Sequence, residues 1–303
     1  MDVFKAHPKA IYGVAFSPDG ESLLTSGGDE SVRLWSLNPA KVIREWPGSP
    51  VLSPVAFSPD GRFVARGGFK TTVWPNADGA KPLIQQAGQN DSVAFSPDGK
   101  LFAAHGDEGN GLQRWQMPGG KPLPGGWGGT RTSTNGQQFG CGGMAFSPDG
   151  AILATTFGVL QPGRYVSVVY LWNAKTGKLA GTLPTKTPAD HPAQLCFSPD
   201  GKLLAGASGH LMRVWDVAGG KEVANLTLGK KFFKGQAFAH DGKSLLTVGQ
   251  DNLVRAWDTH SWTETSALDC GIGKLTCIAC ISPSPHRQRF AAGGATGKVA
   301  VWE

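Results

Sequence analysis

One short phrase recurs along this chain and constrains its fold more than any other feature. Ala-Phe-Ser-Pro-Asp-Gly begins at Ala15, Ala56, Ala94 and Ala145, and Cys-Phe-Ser-Pro-Asp-Gly begins at Cys196. Ala-Phe-Ala-His-Asp-Gly begins at Ala237, and a degenerate Cys-Ile-Ser-Pro-Ser-Pro begins at Cys280. A tryptophan follows each copy, at Trp35, Trp74, Trp115, Trp172, Trp215, Trp257 and Trp302. The period of about 40 residues suits four short strands. In the first copy Tyr12 to Phe16 alternates like a strand, and Ser17-Pro18-Asp19-Gly20 is a tight turn. Proline sets φ there and glycine accepts a left-handed backbone. Glu21 to Thr25, Ser31 to Trp35 and Lys41 to Trp46 supply three further strands. Such a unit is a small sheet with two apolar faces, and it cannot bury both alone.

Stacking the units radially hides those faces and leaves only short edges. The expected fold is therefore all-β: a seven-bladed β-propeller of four-stranded antiparallel blades. Approximate repeats cover 6–46, 47–85, 86–124, 136–184, 187–227, 228–267 and 268–303, all in one domain. The last copy stops at Val301 to Glu303 without a fourth strand, so Asp2 to Lys5 is expected to supply one and close the ring. The phrases resemble the WD-repeat family, in the FSPDG-rich style common in bacterial members, over essentially the whole chain. That resemblance implies a polar network of a His, a Ser or Thr, an Asp and the Trp. In the first repeat the matching residues are His7, Thr25, Asp29 and Trp35. The sixth keeps Thr247, Asp251 and Trp257 but lacks the His. The other repeats lack the matching Asp, which implies looser blades there.

Composition narrows the function classes. Gly makes up 43 of 303 residues, which favours tight turns over long helices. The five cysteines are an odd number in a large chain, which argues against a disulfide framework. The N-terminus shows no charged region followed by an apolar run, and no apolar stretch reaches about 18 residues. The expected compartment is the cytoplasm, with no membrane partner. Net charge is +6, but Lys and Arg are scattered, so no nucleic-acid partner is expected.

Motifs for chemistry are sparse. The residues four before each strand-end Phe (Ile281 in the last copy) mark where inner strands enter the central channel. They are Tyr12, Ser53, Asp91, Gly142, Ala193, Lys234 and Cys277, with one acid and no His. A catalytic divalent metal needs about three converging ligands, so neither a metal nor any other cofactor is expected. Cys277-x-x-Cys280 lies on an expected inner strand, Leu275 to Ile281, where odd spacing sends side chains to opposite sides. Buried, inert thiols are expected. Gly242-Lys243-Ser244 is part of the repeated hairpin turn, not a phosphate loop. Apart from His7, and His240 in its turn, the histidines show no ligand spacing.

Departures from the repeat carry the remaining signal. Phe146 to Trp172 spans 26 residues where other copies take 17 to 21, and Trp115 to Phe146 spans 31 where others take 21 to 25. Two insertions thus touch the fourth blade, between Gly125 and Gly143 and between Thr156 and Val166. Both kinds of connection emerge on one face of a propeller. As loops they would present Trp127, Arg131, Gln137, Phe139, Arg164 and Tyr165, residue types common among binding anchors. The expected function is a non-catalytic protein-interaction scaffold using that face. The competing expectation is a propeller-type hydrolase or lactonase at the channel mouth, against which the scarcity of acids there counts.

Overall fold

The computed structural model describes residues 1–49, 54–90, 92–106, 111–124, 141–161, 164–185, 194–284 and 287–303. Among these the strands form seven four-stranded antiparallel sheets and there is no helix. The chain is a seven-bladed β-propeller, as the repeat predicts. Blade one is built from Ile11–Phe16, Ser22–Gly27, Ser31–Leu37 and Ala40–Pro47, hydrogen-bonded in chain order. Blade seven instead pairs Leu275–Ser284, Arg287–Gly294 and Lys298–Trp302 with Asp2–Lys5 as its outer strand. The N-terminal strand therefore closes the ring, with Asp2 opposite Val301 and Lys5 opposite Lys298.

The turns show why Ser-Pro-Asp-Gly recurs. Ser17 Oγ donates to Asp19 Oδ1 (2.6 Å) and accepts from Ser22 N (2.9 Å), while Glu21 N donates to Asp19 Oδ1 (3.0 Å). Ser58, Ser96, Ser147 and Ser198 make the same hydroxyl-to-carboxylate bond in blades two to five. The glycine closing each turn from Gly20 to Gly242 has φ between 68° and 72°, a region that penalises a Cβ. The serine hydroxyl is the main cause holding the carboxyls of Asp98, Asp149 and Asp200 below their ordinary range. In blade six Ala239 replaces the serine, and Asp241 keeps only the bond from Lys243 N (2.9 Å).

Alternation along each strand sends neighbouring side chains into different blade interfaces. Leu23 packs with Phe16, Trp35, Ala291 and Val299 between blades one and seven. Leu24, next in sequence, packs with Leu34, Val64 and Trp74 between blades one and two. Five further clusters repeat the arrangement, and each of the seven interfaces holds one periodic tryptophan. At roughly 150–250 Å² and 25 cal/mol per Å², burying one indole contributes about 4–6 kcal/mol.

The last blade departs from its expected register. Phe16 stands opposite Leu23, which stands opposite Trp35. In blade seven the corresponding ladder is Cys280, Phe290 and Trp302. Cys280, not Ile281, therefore takes the phenylalanine's place. Ile281-Ser-Pro imitates Phe-Ser-Pro in sequence, but the inner strand continues to Ser284. Cys277 accordingly faces the interface with blade one rather than the channel.

Candidate interaction face

Antiparallel order divides the connections between two faces. Ser-Pro-Asp-Gly turns and the links from third to fourth strands lie on one, here the turn face. Links from second to third strands, and those between blades, lie on the other, the connection face. On the turn face the channel opens into an apolar funnel of about 770 Å³. Pro18, Pro59, Pro97, Pro148 and Pro199 ring it, and His240 is the one titratable group among its described lining residues.

On the connection face, blade one carries a continuous polar chain. Trp35 Nε1 donates to Thr25 Oγ1 (3.0 Å), Thr25 Oγ1 lies 2.7 Å from His7 Nε2, and His7 Nδ1 lies 2.8 Å from Asp29 Oδ1. One proton arrangement satisfies all three bonds: Thr25 donates to Nε2, and Nδ1–H donates to Asp29. Ser31 and Arg33 also bind Asp29, at 3.1 Å each. Burial, outweighing the pull of Asp29, lowers the His7 pKa from its ordinary 6.5 and favours the neutral ring this chain requires. Burial raises the Asp29 pKa, but hydrogen bonds and charge from His7, Ser31 and Arg33 leave it lowered.

The other blades keep only parts of this chain or replace it. Trp257 donates to Thr247 (2.9 Å), while Asp251 pairs with Arg255 (2.8 Å). Blade four has the same Trp–Thr bond, from Trp172 to Thr155 (2.8 Å), which a search for the Asp-containing pattern overlooks. In blade five Gly206 stands at the Thr25 position, and the Trp215 indole donates to the Pro184 carbonyl instead (2.9 Å). Trp215 is fully buried, so loss of the threonine has not left its N–H unpaired. Blade two places Arg66 at that position, with its guanidinium 5.7 Å from the Trp74 ring centroid.

Of the six residues expected to bind a partner, Trp127, Arg131, Gln137 and Phe139 lie outside the described residues. Arg164 and Tyr165 do not sit in an irregular loop. Ile152–Gln161 and Arg164–Asn173 form a ladder ten rungs long, in which Arg164 pairs with Gln161 and Tyr165 with Leu160. The second insertion is thus a lengthened hairpin, in which Val159 pairs with Val166, and β-branched residues favour such strands. Its inner neighbour stops pairing at Phe157 and its outer neighbour at Val169. From Gly158–Ser167 outward the two strands have no third strand beside them among the described residues.

Of the channel positions, Ser53, Asp91 and Ala193 lie outside the described residues. Bulges at Tyr12, Lys234 and Thr276 interrupt the first strands of blades one, six and seven where they leave the connection face. Cys196, Cys270 and Cys277 are free thiols, and burial pushes Cys196 up to about 12 and the other two up to about 11. Among the described residues no group of three His, Cys, Asp or Glu could hold a metal ion.

Residues 1–36 and 183–216 match the family model described as WD domain, G-beta repeat. Those two stretches are similar to WD repeats. They end just beyond Trp35 and at Asp216, so each contains the periodic tryptophan of its blade. The chain is 25% identical over 229 residues, 72% of its length, to Periodic tryptophan protein 2 homolog of Dictyostelium discoideum. It is 21% identical over 98% of its length to Apoptotic protease-activating factor 1 of Rattus norvegicus. It is 20% identical over 95% of its length to Transcriptional corepressor LEUNIG_HOMOLOG of Arabidopsis thaliana. The chain spans 23%, 22% and 34% of these relatives, respectively.

Proposed function

We propose that this propeller is a non-catalytic protein-interaction scaffold that engages partners through its connection face, with the fourth blade at the centre of contact. The observation that carries this reading is the blade-four hairpin, whose outer rungs run beyond both flanking strands among the described residues. Its backbone edges can pair with a strand of a partner. Arg164 and Tyr165 on it, and Trp127, Arg131, Gln137 and Phe139 in the adjoining insertion, are suited to anchor the contact. Similarity to proteins named as an activating factor and a corepressor supports a regulatory role. The apolar funnel on the turn face offers little to a hydrolase, since His240 stands alone there as a titratable described residue.

The test replaces residues 158–167 by an Asn-Gly turn joining Phe157 to Val168, which face one another across the ladder. Affinity capture compares this variant with the parent and with a turn-face control, Lys100→Glu with Lys202→Glu. The trimmed variant should lose the partner and the control should keep it. Retention by the trimmed variant would sink the assignment of this face.

A further inference from the structure

The segment Leu228–Gly235, between blades five and six on the connection face, places three lysines around an exposed aromatic ring. Lys230, Lys231 and Lys234 are all exposed, and Phe232 between them is 45% exposed. A tight turn, with Lys231 N bonded to Leu228 O (3.3 Å), throws Lys230 outward. The bulge between Phe233 and Gly235 turns Lys234 outward near the channel rim.

The backbone here is pinned. Gln250 N donates to Phe232 O (2.9 Å), and Phe232 N donates to Gln250 Oε1 (3.2 Å). Phe233 N donates to Gly209 O (2.8 Å), and its side chain is buried in the interface between the two blades. His210 stacks on Phe232 with centroids 6.4 Å apart and planes 27° from parallel. An exposed phenylalanine is thus held by both neighbouring blades, which reduces the ordering cost of binding through it.

These lysines differ from the arginines of blades one, five and six, which carboxylates neutralise. Arg33 pairs with Asp29 and Glu45, Arg213 with Glu222, and Arg255 with Asp251 and Glu264. Among the described residues no carboxylate forms an ion pair with Lys230, Lys231 or Lys234, and the nearby Asp251 is engaged by Arg255 at 2.8 Å. Three uncompensated positive charges around one apolar anchor call for the complementary pattern in a ligand. We infer that this patch receives an extended acidic segment of a partner protein, its carboxylates meeting the lysines and an apolar side chain covering Phe232. This rests on the protein-binding reading of the connection face and adds the chemistry of the partner. The stacked His210 takes one side of the Phe232 ring, which suits an aliphatic contact better than intercalation between nucleobases.

The probe is a phage-displayed library of random peptides of about twelve residues, selected on the intact propeller. Selected peptides are then measured by fluorescence anisotropy against the parent, Lys230→Glu/Lys231→Glu/Lys234→Glu, and Phe232→Ala. A single-stranded oligonucleotide of similar length is the comparison ligand. The selected peptides should be rich in Asp and Glu and should bind more weakly as salt rises. They should lose about tenfold or more in affinity on the triple variant, and several-fold on Phe232→Ala. All the substituted side chains are exposed, and thermal melting should match the parent. Peptides that bind parent and triple variant equally overturn this proposal while the scaffold reading stands. Preference for the oligonucleotide, or no enrichment of any peptide, overturns both.

Discussion

Thr25 is fully buried, and its hydroxyl bonds both the Trp35 indole and His7 Nε2. Thr25→Val keeps the shape and removes the oxygen. The Trp35 N–H and His7 Nε2 are then both left unsatisfied. Each orphaned buried group costs about 1–3 kcal/mol, so the variant should lose about 2–6 kcal/mol. Thr247→Val supplies the internal control, because only the Trp257 N–H depends on that hydroxyl. It should lose about 1–3 kcal/mol, half as much. At about 2.1 cal/mol/K per residue, the unfolding entropy of 303 residues is about 0.64 kcal/mol/K. Each kcal/mol therefore moves Tm by about 1.6 °C, and Thr25→Val should lower it by about 3–9 °C. Urea titration followed by far-ultraviolet circular dichroism gives the free energies, and an unchanged m-value shows that the unfolding surface is the same. Equal losses at the two sites would refute the claim that His7 depends on Thr25.

The same chain predicts a pH response. The folded His7 pKa lies below its ordinary 6.5, so the unfolded state takes up the proton first as pH falls. Its contribution is complete above 6.5 and declines as pH drops from there toward the folded value; subtracting the Tm profile of His7→Gln from that of the parent should reveal this decline, and a flat difference would contradict it. Removal of residues 1–5 takes away the outer strand of blade seven and the Phe4 ring 5.0 Å from Trp35. It should lower Tm sharply by exposing an unpaired edge, and an unchanged melt would show that the strand is dispensable. Ala239→Ser should restore to blade six the turn found in blades one to five. A gain of about 0.5–1.5 kcal/mol in urea titration is expected, and a loss would mean that this turn differs in more than its hydroxyl.

The ring was legible in the sequence because turn and tryptophan are both demanded by local physics. Ser-Pro-Asp-Gly is a self-contained hydrogen-bonded unit, and the indole needs a blade interface. Register failed in the last blade because Ile281-Ser-Pro preserves two of the turn's letters while the strand runs past them. The Thr155–Trp172 bond does not follow from the four-residue pattern with its Asp, because it needs only a Thr two residues beyond the one facing the Trp. The hairpin at Arg164 and Tyr165 reads as a loop in the sequence because its Gly and Pro residues mask two runs of strand-forming side chains. The patch at Lys230, Lys231 and Lys234 is hidden in the sequence because a charge count over the whole chain dilutes it. Three lysines within five positions around Phe232 and Phe233 were visible, but not that folding leaves them without carboxylates.

Ring closure also has a mechanical side. Gly297 is at φ 80°, and its carbonyl receives both Ala6 N (2.9 Å) and His7 N (3.0 Å); a Cβ there would strike the carbonyl oxygens of His7 and Lys9. The strand pair thus ends on a firm clasp at one extremity, with Asp2 beside Val301 at the other. Tension applied between those two residues acts across the strands rather than along them. It opens four rungs in succession, as a zipper does, and reaches the clasp last.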